Sequence, residues 1–206
     1  MSALTDAVDA VTRIDPVMAA LAEQHGPPKL GGRRTGKTRF EELAEAICYQ
    51  QLAGKAAEAI WRRVVAAVGD PFTPDAVLAA GFDALRGSGF SRAKAESVLD
   101  LATRVHSGEV GLDRIGRLDD AAVVQQLTLV KGIGPWTAEM FLIFTLKRLN
   151  VWPVGDYGVR AGYAKAYDLP ALPTAKELLP LGDRFGPYRT VAAWYCWRAV
   201  STQLPT

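Results

Sequence analysis

Cysteine is scarce in this chain, with Cys48 and Cys196 the only two among 206 residues. Two thiols cannot supply a disulfide framework, a four-thiolate zinc site or a four-thiolate iron–sulfur cluster. Each therefore reads as a small buried hydrophobe. Histidine is as rare: His25 and His106 stand alone without ligand spacing and read as surface or capping residues. No apolar run approaches the ~18 residues of a bilayer-spanning helix. The stretch from Met1 to Val11 carries two Asp and no basic cluster, so the expectation is a soluble, cytoplasmic protein without a membrane partner. Excess charge is missing too. Lys and Arg number 24 against 22 Asp and Glu, a net charge of +2, which says little about a polyanionic partner.

What is present is ordinary globular material, 49% hydrophobic and 22% charged, enough for one large core or two lobes sharing long helices. The one local charge excess is Lys29, Arg33, Arg34, Lys37 and Arg39, interleaved with Gly31, Gly32 and Gly36 and free of acids. That pattern suits either a phosphate grip or a solvated loop.

Periodicity is helical nearly throughout, and no β-branched or aromatic run reads as a strand, so the fold class is all-α. A first helix is expected from Asp15 and Pro16 to His25, stopped by Gly26-Pro27-Pro28. Phe40, Leu43, Ala44, Ile47 and Cys48 make one apolar stripe; Ala57, Ile60, Trp61, Val64, Val65 and Val68 make the next. Thr73 caps a short helix ending near Gly81, and another runs from Phe82 to Arg86. Ser91 caps a long helix with Ala93, Ser97, Leu101, Ala102 and Val105 inward, and Asp119 to Leu127 forms a further helix. Helices follow at about 135–148, 157–167, 174–185 and 188–200. There is no repeat at a period of about 20 to 50 residues.

The most informative stretch runs from Leu127 to Met140, where a helix ends, the chain turns at Gly132-Ile133-Gly134, and Pro135 starts another helix. Glycine admits a positive φ and a close approach of phosphate to the backbone, while Ile133 pins the turn. First-turn amides of the following helix lack intrahelical acceptors, which makes an anion site. A bare Gly-X-Gly is also an ordinary turn.

Val130-Lys-Gly-Ile-Gly-Pro-Trp-Thr-Ala138 resembles the helix-hairpin-helix element of DNA repair glycosylases, and the likeness continues. In that superfamily an Asp opens the helix after the hairpin; here Asp156, 22 positions beyond Gly134, fits within Val154-Gly-Asp-Tyr-Gly-Val-Arg160. An Asp at that point is also an ordinary N-cap, and the two roles are compatible because helix-terminal amides stabilise an ionised carboxylate. Together with 47–57, 89–95 and 187–198, these segments make the chain similar to the 3-methyladenine DNA glycosylase II family, in its compact form without the extra N-terminal α/β domain.

The resemblance implies a single domain over 1–206, two helical lobes with an active-site cleft between them, and the hairpin at about 127–148. It implies a monofunctional glycosylase that flips alkylated purines out of double-stranded DNA and hydrolyses the N-glycosidic bond, with 3-methyladenine the first expected lesion and 7-methylguanine a further candidate. Asp156 stabilises the oxocarbenium-like sugar. Trp136, Trp197, Met140 and Tyr157 line the pocket, with Trp194 a weaker candidate; a helical Trp is equally an ordinary core residue. Met140 replaces the aromatic often found there.

The resemblance implies that Lys131, Gly132 and Gly134 contact DNA and that the wedge filling the gap comes from Phe90, Ser91 or Arg92. Gln50 and Gln51 either offer amides to the minor groove or merely cap a helix. The resemblance also implies a Na+ or K+ ion held by main-chain carbonyls at Thr128, Val130 and Ile133, with no cofactor required and no iron–sulfur cluster. A monomer in the cytoplasm, at the bacterial nucleoid, is the expected state. Relatives that also cut the strand carry a nucleophilic Lys just before the hairpin Thr-Ala, where this chain has Trp136. Three rivals remain: a bifunctional glycosylase-lyase, a non-catalytic hairpin DNA-binding protein, and a helical interaction scaffold.

Overall fold

The computed structural model describes residues 3–30, 36–52 and 54–200. Among these are eleven α-helices and no strand. The all-α expectation therefore stands. The chain divides into two compact units, one from residues 1–32 with 142–205 and the other from 33–141.

In the first unit, α1 (Ala3–Ile14) precedes α2 (Pro16–His25), and α9 (Tyr157–Ala166), α10 (Ala175–Leu181) and α11 (Arg189–Ala199) follow from the distal part of the chain. The sequence reading begins at α2 and omits α1. Only Ala7 and Val11 of α1 are buried, one step of four residues, so its apolar signal is short. Helix α2 starts as expected: Asp15 Oδ1 accepts the amides of Val17 and Met18 at 3.0 Å, and Pro16 occupies the first helical position. The second oxygen of Asp15 accepts the Tyr167 hydroxyl at 2.9 Å and faces Arg184 at 3.1 Å, so the cap also ties α2 to the helices after the hairpin. Helix α11 is the core of this unit, with every residue from Thr190 to Trp197 buried.

The second unit holds α3 (Arg39–Tyr49), α4 (Gly54–Val68), α5 (Pro74–Gly87), α6 (Arg92–His106), α7 (Asp120–Leu127) and α8 (Pro135–Met140). All five residues of the first expected stripe are buried on α3. The two short helices expected at 74–86 are both present within α5, separated at Gly81, whose φ of 73° and ψ of −178° are not helical. On α6 the buried face is Ala95, Ser97, Val98, Leu101 and Ala102, while Ala93 is exposed. Steps of four residues overshoot a turn by about 40° each, so two steps back from Leu101 carry Ala93 off the face. Helix α8 is shorter than the expected 135–148: it gives way to a π-helical turn over Phe141–Thr145, and Lys147 takes φ 56°.

Of the basic stretch, Gly31, Gly32, Arg33 and Arg34 lie outside the described residues. Lys37 pairs with Glu45 at 2.5 Å, and Arg39 donates to the carbonyls of Leu112 and Asp113, so these two cations serve the fold. Both cysteines are buried as expected, and desolvation pushes the Cys48 thiol up to about 11.

Candidate active site

Asp156 sits at the mouth of α9. Its amide donates to the Pro153 carbonyl in a tight turn, and its φ and ψ of −74° and 123° are those of an N-cap. Oδ1 accepts the Val159 amide at 2.8 Å and the Trp197 indole N–H at 2.8 Å. The residue is only 7% exposed. Two donors on one oxygen fix the carboxyl plane, and the orphan amides at the start of α9 place partial positive charge against it.

Glycines make this approach possible. A Cβ on Gly158 would meet Trp197 Cδ1 at 2.8 Å and Asp156 Oδ1 at 3.1 Å, and one on Gly162 would lie 1.8 Å from the Cys196 carbonyl oxygen. Spaced four apart, they form one bare face on α9 against which α11 lies backbone to backbone. That contact delivers Trp197 to the carboxylate.

Trp197 departs from its expected place as an open pocket wall. It is 1% exposed and stacks on Phe144 at 5.8 Å, so it offers its N–H to Asp156 in place of a ring face to a base. Trp197→Phe keeps a ring against Phe144 but removes one charge-assisted hydrogen bond, worth roughly 1.5–3 kcal/mol, and leaves a cavity that lowers the melting point. We expect any reaction that relies on the Asp156 charge to slow by about ten-fold, corresponding to ~1.4 kcal/mol of lost stabilisation, and a rate equal to wild type would show that the bond does not matter. Trp194 is buried as well, and so is Met140. Tyr157, beside Asp156, is 68% exposed, and Trp136 is exposed on α8.

The hairpin forms its own constellation in the second unit. After α7, Ile133 donates to the Val130 carbonyl and both side chains are buried, which pins the turn as expected. Gly132 has φ 81°, and a Cβ there would lie 2.4 Å from Ser97 Oγ. Gly132→Ala meets a left-handed backbone and a collision together, each costing about 1–3 kcal/mol. We expect a lower melting point. Adding Ser97→Gly should restore part of the loss, because it clears the collision and leaves the backbone conformation unfavourable; no restoration would place the cost elsewhere.

Gln50 is occupied within the protein. Its side-chain amide donates to the Gly132 carbonyl at 3.2 Å and to Thr137 Oγ1 at 3.3 Å, bracing the end of α3 to the hairpin. Lys94 braces the same segment, donating to the carbonyls of Cys48 at 2.6 Å and Gln50 at 2.8 Å, and desolvation lowers its pKa. Gln51 then takes φ 57°, and Leu52 is 39% exposed.

Phe90 is a correction. It is 1% exposed and belongs to the core, so among the expected wedge residues only Ser91 and Arg92 are at the surface, with Ser91 Oγ capping α6. Leu52, just after the glutamine pair and ahead of Gly54, is an apolar side chain that lies outside both amphipathic stripes and outside the core.

Lys131 Nζ lies 2.5 Å from Glu96, and its amide donates to Asp100 at 2.7 Å. Among the described residues no group of three or more His, Cys, Asp or Glu side chains gathers to hold a metal ion.

A match to the HhH-GPD superfamily of base excision DNA repair proteins spans residues 44–183. The chain is 38% identical to DNA-3-methyladenine glycosylase 1 of Schizosaccharomyces pombe over 165 residues, 79% of this chain and 72% of that protein. Among solved structures it is similar to the S. pombe 3-methyladenine DNA glycosylase in complex with abasic DNA, with a TM-score of 0.82, 33% identity and 98% of each chain covered. It is also similar to a DNA-3-methyladenine glycosidase from Bacillus halodurans, with a TM-score of 0.85, 34% identity, and 95% of this chain and 89% of that one covered.

Proposed function

The chain belongs to the HhH-GPD superfamily of base excision DNA repair proteins, and from that premise we propose that it is a monofunctional DNA glycosylase acting on alkylated purines in duplex DNA. The carrying observation is Asp156, a carboxylate held by the Val159 amide and the Trp197 indole at the start of α9. A base within the stack hides its glycosidic bond, so the nucleotide is extruded before chemistry. An N3- or N7-alkylated purine is already cationic. It takes the electron pair of the C1′–N bond and departs neutral, so no strong general acid is needed. Positive charge then develops on the deoxyribose, and Asp156 stabilises it while water adds at C1′ and gives up a proton to solvent. The products are the free base and an abasic site.

Supporting parts follow from the same reading. The hairpin of Lys131, Gly132 and Gly134 contacts phosphates. The exposed ring of Tyr157, beside Asp156, suits stacking on a cationic lesion, worth roughly 0.5–2 kcal/mol. With Phe90 buried, the gap left in the duplex is filled from the exposed side chains beside the hairpin, Arg92 at the start of α6 or Leu52 after α3. Carbonyls of Thr128, Val130 and Ile133 would hold a Na+ or K+ ion. Main-chain oxygens fit such hard cations, and the Val130 oxygen, which accepts one hydrogen bond, keeps a lone pair for it.

Against a lyase stands the absence of a matching amine. Trp136 occupies the nucleophile position, Lys131 is ion-paired, and Lys94 spends its ammonium on two carbonyls. The test is chromatography of bases released from methylated duplex DNA, run beside borohydride trapping. Free 3-methyladenine with no trapped adduct supports the proposal. A trapped adduct indicates the lyase, and binding without release indicates a DNA-binding module.

A further inference from the structure

Two carboxylates on α6 address one residue of the hairpin. Glu96 and Asp100 are four apart and so share a face. Asp100 Oδ2 accepts the Lys131 amide at 2.7 Å and also Arg104 Nε at 2.9 Å. Glu96 Oε2 takes the Lys131 ammonium at 2.5 Å, and its other oxygen faces Arg92 at 3.7 Å. The hydrogen bond from Lys131 holds the Glu96 carboxyl below its usual range, against a smaller desolvation effect. Placing acids beside an element meant for phosphates is costly unless they do something there. Asp100 has a structural use, because it satisfies a backbone donor of the turn. Glu96 has none of that kind: it neutralises a lysine that is itself 61% exposed.

We propose that Glu96 is a positioning residue that holds the Lys131 ammonium in reserve and so restrains the grip of the hairpin on undamaged DNA. This rests on the reading of the hairpin as the phosphate-contacting element. An exposed ion pair of this kind is weak, so an arriving phosphate can take the lysine over. The freed carboxylate then faces the strand and opposes the contact. Weak binding to undamaged duplex lets a repair enzyme move along DNA in search of rare lesions, which gives the restraint a use.

Binding of Glu96→Gln, Lys131→Gln and the double variant to a short fluorescent undamaged duplex, measured across a salt series, tests this. Glu96→Gln should tighten binding by about two- to five-fold at low salt. Its slope of log affinity against log salt should steepen by about 0.9, one more neutralised phosphate. In the Lys131→Gln background the tightening should be smaller and the slope should not move. An unchanged slope for Glu96→Gln, or the same steepening in both backgrounds, overturns the restraint. Should Lys131→Gln leave affinity untouched even when combined with Glu96→Gln, the hairpin reading itself fails. A purely structural role for Glu96 would lower the melting point without steepening the salt dependence.

Discussion

Asp156→Asn should abolish base release while leaving the fold and the grip on product intact. Asparagine is as good an N-cap as aspartate, and its side-chain oxygen can still accept the Val159 amide and the Trp197 indole. What disappears is the full negative charge opposite the developing sugar cation. Removing one such preorganised electrostatic partner typically costs about 10²- to 10³-fold in rate. Here a whole charge is removed, so the loss should reach at least the upper end of that range. Single-turnover release from methylated duplex measures it, and affinity for an abasic-site duplex serves as the control. A variant that releases base at the wild-type rate would remove Asp156 from the chemistry.

The second large effect is structural and lies behind the first. Gly162→Ala places a methyl group 1.8 Å from the Cys196 carbonyl oxygen and 2.4 Å from its carbonyl carbon. The obstacle is backbone, which cannot rotate aside, so α9 and α11 must separate. Overpacking of this kind costs about 3 kcal/mol or more, a fall of about 10 °C in the melting point for a chain of this size. Moving α11 also withdraws Trp197 from Asp156, so activity should fall beyond what instability explains. Gly111→Ala is the control, since nothing lies within 4 Å of its added Cβ. A Gly162→Ala protein that melts with the wild type would show that the two helices can part freely.

Much of this was legible from residues alone, for identifiable reasons. Local punctuation is a property of short segments: Asp15 before Pro16, Thr73 before Pro74, Ser91 before α6 and Asp156 before α9 each mark a helix start, and each is observed as an N-cap. The hairpin glycines were readable in the same way, because a left-handed φ at Gly132 is a local demand. Amphipathic stripes located the core of α3 without help from the fold. Where the apolar signal was brief, as in α1, the reading failed. It failed also where a strict four-residue step was followed too far, as at Ala93.

Roles that depend on a partner remote in sequence were not legible. Nothing near Trp197 indicates that its indole is spent on a carboxylate 41 positions earlier, that Gln50 reaches the hairpin, or that Lys131 is held by an acid on α6. Phe90 looked like a free aromatic in a glycine-rich loop and is buried. The helical elements, their caps, the kinked hairpin and the candidate carboxylate follow from the order of residues, because each is fixed by interactions within a few positions. Which side chains remain available to a ligand, and which are already committed to one another, is settled by the packing of the folded chain. Availability is what contact between distant segments leaves over, and no local pattern encodes that remainder.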